Sequence, residues 1–197
     1  MPQLKISFPT LLFFASYLLF DRSIYTLLPL LAALTHELGH FVVILLCRRH
    51  IECIRFYPLG IDIRCAPTVS SYRSDLAVCL AGVLANLVAI LLCLPHSEHP
   101  TATVFLSANA VLLAVNLLPI DTLDGGCAIA AALSLWIPPE RVYPILRKIS
   151  FFGILFLWLV ACDLLLLTGY NFSLFFMTVY LFFSLFLPPW KSKDSKE

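Results

Sequence analysis

Six apolar runs, at about residues 6–20, 24–47, 76–94, 102–120, 149–168 and 172–188, occupy most of this 197-residue chain and leave it few ways to fold in water. Inside a hydrocarbon layer every backbone polar group must be satisfied within its own segment, so such runs cross as helices. The expected fold is an all-α polytopic membrane protein with about six transmembrane helices, and the lipid bilayer is its first expected partner. Composition agrees, with 60% hydrophobic and 13% charged residues and a mean hydropathy of +0.92. A net charge of +1 offers no attraction to nucleic acid.

Charges between the runs set the threading. With a cytoplasmic N-terminus, the inner segments carry Lys5; Arg48, Arg49, Arg55, Arg64 and Arg73; Arg141, Arg147 and Lys148; and Lys191, Lys193 and Lys196. The outer segments carry only Arg22. This asymmetry obeys the positive-inside rule and predicts a multi-pass protein of the cell membrane with both termini cytoplasmic. The first run, short for a span, resembles the apolar core of a secretory signal but is followed by no small-x-small cleavage site. Residues 1–190 read as a single transmembrane domain and residues 191–197 as a polar cytoplasmic tail. Seven scattered cysteines, without a Cys-x-x-Cys pair, read as small apolar fillers.

The second run contains His36-Glu37-Leu38-Gly39-His40, which puts ionisable groups where lipid disfavours them. Four residues make slightly more than one helical turn and rise about 6 Å, so both imidazoles project from one face and can share a metal ion, with Glu37 beside them. A catalytic zinc takes three protein ligands and keeps a fourth position for water. Candidates for the third ligand lie in Asn116-Leu117-Leu118-Pro119-Ile120-Asp121-Thr122-Leu123-Asp124-Gly125-Gly126, at the inner end of the fourth run. Pro119 and the glycine pair are expected to break helical hydrogen bonding there, exposing Asp124, while Asp121 could serve in turn or cap formation. His40 lies roughly 10 Å from the inner end of its helix, and the fourth run descends to the same side, so the two stretches share a depth.

His-Glu-Leu-Gly-His in one span, Gly82-Val83-Leu84-Ala85-Asn86 in the next, and Asn116-x-x-Pro119-x-x-x-x-Asp124-Gly125 in the one after resemble the site-2 protease family of intramembrane zinc metalloproteases. The sporulation stage IV type, which processes a pro-sigma factor in the mother cell, is the most similar, with six spans and a Leu-Asp-Gly-Gly ending. The resemblance implies a bacterial protein with one zinc ion per chain held by His36, His40 and Asp124. It implies Glu37 as catalytic base, a catalytic core over about residues 24–137, and membrane-embedded or membrane-tethered protein substrates cut near the cytoplasmic side. Residues 48–74 leave no room for the PDZ domain of many members, and Val83 stands where proline is common.

Asn86 and Asn116 read either as interhelical hydrogen-bond groups or, with Pro119 and Gly125, as substrate contacts or loop support. Gly82 is expected to permit close helix packing. Ile51–Phe56 and Ile61–Cys65 flank Tyr57-Pro58-Leu59-Gly60 and read as a small β-hairpin between the second and third spans, able to add an extended substrate as a further strand or to cover the cavity mouth. Ala128–Trp136 reads as a helix at the inner surface. Asp163 lies near the outer end of its span, and His96, Glu98 and His99 belong to an outer loop. A zinc transporter and an inactive homologue that binds membrane segments are the competing readings.

Overall fold

The structure, a computed structural model, describes residues 3–6, 23–57, 60–65, 71–169 and 172–186. The chain divides into two compact units, Met1–Asn116 and Leu117–Glu197. Among the described residues, three helices are long and apolar enough to cross a membrane: Ile24–Leu46, the continuous stretch Tyr72–His96, and Pro139–Thr168. Pro100–Asn116, Asp124–Leu133 and Leu174–Leu185 are shorter apolar helices. No more than 33% of the residues in the most apolar part of any of these three helices are buried, so each presents a largely apolar outer face, as a membrane-spanning helix does.

In the first unit, α1 (Ile24–Leu46) starts at Ser23, whose side chain accepts from the amide of Tyr25. It stops where Arg48 takes φ 53° and Arg49 N–H donates to the Ile44 carbonyl at 3.1 Å, a Schellman-type ending. Helix α2 (Tyr72–Cys93) packs closely on α1 because Gly39 meets Ala81 and Ala85, three small residues that let the backbones approach. Helix α3 (Pro100–Asn116) packs against both.

At one end of the α1–α2 pair, Arg49 donates to Ser74 Oγ at 2.7 Å and to Asp75 Oδ1 at 2.6 Å, both partners lying in the first turn of α2. The anion also suits a helix N-terminus. Arg49→Ala is expected to lower stability in detergent by about 1 kcal/mol. A double-mutant cycle with Asp75→Ala checks this, because the two losses should not add.

Strands β2 (Ile51–Tyr57) and β3 (Gly60–Cys65) form the expected antiparallel hairpin, with Phe56 opposite Ile61 and Tyr57 opposite Gly60. Residues 58 and 59 of its turn lie outside the described residues. The hairpin is not the whole sheet. Strand β1 (Gln3–Ile6) pairs in parallel with β2, Gln3 to Cys53 and Ile6 to Phe56, giving the order β1-β2-β3. Four residues carry too little alternation to reveal a strand whose partner lies about fifty positions away. The first expected span, 6–20, lies outside the described residues apart from Ile6.

In the second unit, α4 (Asp124–Leu133), α5 (Pro139–Thr168) and α6 (Phe172–Phe186) follow an irregular stretch from Leu117 to Leu123. Its core is Ile120, Ile154, Leu181 and Leu185, with Leu118, Leu123, Leu157 and Met177 packed on it. Ser150 joins the irregular stretch to α5, accepting from the amide of Asp121 at 2.9 Å while donating to the carbonyl of Leu146. Arg147 donates to the carbonyl of Leu185 at 2.7 Å, satisfying a group near the end of α6 that has no helical partner of its own.

Three expectations change. The fourth apolar run is helical only to Asn116, because Pro119 cannot continue the hydrogen-bond ladder. The expected helix Ala128–Trp136 begins four residues earlier, so Gly125 and Gly126 form its first turn instead of breaking one. Both glycines are buried under backbone: a Cβ on Gly125 would strike the Leu117 carbonyl, and one on Gly126 the Ile120 carbonyl. Finally, Cys47, Cys53, Cys93 and Cys162 are free thiols, but Cys79 and Cys127 are disulfide-bonded and not simple fillers. Spacing along a chain does not reveal such bonds.

Candidate metal centre

Helix α1 turns His36 and His40 to the same side, and their Nε2 atoms lie 3.2 Å apart. His36 is 6% exposed. Two ring nitrogens pointed at each other from consecutive turns are the start of a metal site or one link in a hydrogen-bond chain, and the other nitrogens distinguish these.

Nδ1 of His40 lies 2.7 Å from the carbonyl of Val78. A carbonyl oxygen only accepts, so Nδ1 carries a proton, and in the neutral form of the ring the lone pair is then on Nε2. This is the arrangement of a metal-ligating histidine whose second nitrogen is held by backbone. Nδ1 of His36 lies 3.2 Å from Nδ2 of Asn86, a fully buried residue.

Between these two anchors stands Gly82. A Cβ there would come within 2.6 Å of Cε1 and 2.7 Å of Nε2 of His36, and closer still to Nε2 of His40. Val78, Gly82 and Asn86 are spaced four apart on α2 and therefore form one stripe facing the imidazoles, one holding His40, one leaving room, and one touching His36. The site thus has a cradle that a single methyl group would fill. Glu37 is half-buried on α1 beside His36.

In the second unit, Asp124 is the first residue of α4 and half-buried. Asn116, the last residue of α3, donates to the Leu112 carbonyl of its own helix at 3.0 Å. Pro119 lies in the irregular stretch, where Ile120 N–H donates to the Leu118 carbonyl at 2.8 Å. Asp121 is exposed. Asp163 is exposed on α5, and His96, Glu98 and His99 are exposed between α2 and α3. Within one unit, then, the fold brings together His36, His40, Gly82 and Asn86. Sequence reasoning missed Val78, since a backbone carbonyl leaves no trace in the identity of its side chain.

Among solved structures, the chain is similar to the site-2 protease from Methanocaldococcus jannaschii, with a TM-score of 0.61 and 21% identity over 92% of this chain and 88% of that one. The chain has the site-2 protease fold. No protein-family model and no curated protein matches it. At this identity the likeness speaks for the site-2 protease architecture, and the chemistry must be argued from the residues.

Proposed function

We propose that the protein is an intramembrane zinc metalloendopeptidase of the site-2 protease kind. His36, His40 and Asp124 would hold one zinc ion per chain, two imidazoles and a carboxylate being a donor set that suits zinc. The observation that carries the reading is the His40–Val78 hydrogen bond, which orients the His40 ring so that its Nε2 lies beside His36 Nε2 on the side where Gly82 carries no side chain. When bound, zinc supplies Lewis-acid chemistry, making water nucleophilic near neutral pH and polarising a carbonyl. Glu37 takes the proton of the attacking water and returns it to the leaving amine.

Substrates in this reading are transmembrane or membrane-tethered proteins. A transmembrane helix hides its carbonyls in internal hydrogen bonds, so the scissile segment must be unwound and held extended. Strand β3 is an edge of the sheet and has backbone groups to offer such a segment. The clustered arginines Arg48, Arg49 and Arg73 at one end of the α1–α2 pair support a cytoplasmic placement for that end, for both termini and for the cut. The Leu123-Asp124-Gly125-Gly126 ending favours the bacterial sporulation type within the site-2 proteases.

The test is metal removal. Purified protein should contain one zinc per chain, lose cleavage of single-span substrates when the ion is stripped by a chelator, and regain it on adding zinc back. Cleavage that survives a verified loss of metal would refute the reading. Zinc uptake by liposomes carrying the protein, with no cleavage, would make it a transporter.

A further inference from the structure

Of the three α2 positions that face the imidazoles, Asn86 poses a problem. Its side chain is fully buried, its Oδ1 has no hydrogen-bond partner, and its Nδ2 is the atom 3.2 Å from Nδ1 of His36. An amide nitrogen only donates, so His36 Nδ1 accepts and the ring proton sits on Nε2. From there it points to Nε2 of His40, 3.2 Å away, whose own proton lies on Nδ1 toward Val78. The result is one continuous chain of donors: Asn86 to His36, His36 to His40, His40 to Val78. It engages both Nε2 atoms.

An ion held by both Nε2 atoms requires a different arrangement. The His36 proton moves from Nε2 to Nδ1, none being gained or lost, and Nδ1 becomes a donor. Nδ2 of Asn86 cannot receive that bond; Oδ1 can. The two ends of a carboxamide are nearly the same size, so a half-turn about the Cβ–Cγ bond exchanges them with little change in packing.

We propose that Asn86 is a positioning residue of the metal centre: its carboxamide turns over as metal binds, so that Oδ1 accepts from Nδ1–H of His36 and holds that ring with Nε2 toward the ion. This rests on the zinc reading above. The centre then has two anchors of different kinds, the fixed carbonyl of Val78 for His40 and a reversible amide for His36. Reversibility lets one buried side chain satisfy the histidine pair both with and without metal.

Two substitutions separate this role from plain helix–helix bonding. Asn86→Asp keeps an oxygen acceptor and removes the donor, whereas Asn86→Leu removes both at similar volume. Zinc affinity is measured by competition with a chromophoric chelator, and cobalt(II) absorption reports the ligand geometry. Asn86→Leu is expected to bind zinc 10- to 100-fold more weakly with an altered cobalt spectrum, while Asn86→Asp binds as wild type or more tightly. Equal weakening in both variants would show that the donor matters and overturn the proposal, as would wild-type affinity in Asn86→Leu. Should Asn86→Leu fail to fold, the Asn86→Asp affinity still decides, since loss of the donor alone must not weaken binding. Wild-type protein that takes up no zinc would overturn the metal centre and this inference with it; normal wild-type uptake with either failing pattern would overturn this inference alone.

Discussion

Gly82→Ala is expected to lose zinc and cleavage together while keeping its helical fold. The added methyl would sit 2.6 and 2.7 Å from two atoms of the His36 ring and nearer to His40 Nε2, inside the distance at which real Cβ atoms make contacts. Flexible side chains can often yield to such an intrusion. These cannot do so cheaply, because His40 is tied to Val78 at 2.7 Å and His36 is in contact with the buried Asn86. Relief comes by rotating one or both rings away from their shared side, which separates the nitrogens that would hold the ion. Zinc affinity should fall by about 10- to 100-fold, the scale set by disturbing groups that orient ligands. Metal content after dialysis, with circular dichroism and a thermal melt as controls for folding, measures the effect. Stoichiometric zinc and normal cleavage in the variant would mean that the space opposite Gly82 is not the metal site.

Glu37→Gln should give the complementary result: zinc bound as in wild type, with cleavage down by about 10²- to 10⁴-fold, the usual contribution of a general base. The amide matches the carboxylate in size and can fill the same half-buried place on α1, but it cannot take up the water's proton. Metal analysis and cleavage of one single-span substrate in one detergent suffice. A variant that cleaves normally excludes Glu37 as base, and one that loses its zinc makes Glu37 part of the metal site instead. The two predictions therefore separate holding the ion from using it.

How much of this was visible beforehand depended on distance along the chain. His36 and His40 were readable because four residues on a helix always share a face. The hairpin was readable because its strands adjoin and alternate. Strand β1 was not, since its hydrogen bonds go to residues about fifty positions away. The ends of helices fell between these cases: Pro119 signalled a break, and α3 stops at Asn116 before it. The Gly125–Gly126 pair was read as a breaker, yet it opens α4, because the Leu117–Ile120 backbone lies directly over it and admits no side chain.

By itself the sequence determined that this chain is apolar enough for a membrane, which residues carry the imidazoles and carboxylates of the proposed site, and which pair of them must lie together. Periodicity and hydrophobicity are local properties, and they extend that far. Only the tertiary structure decided which nitrogen of each ring is presented, for that depends on the register of α2 against α1. One residue's slip would put another carbonyl in place of Val78's and a bulkier side chain in place of Gly82, and the same two histidines would face a filled space.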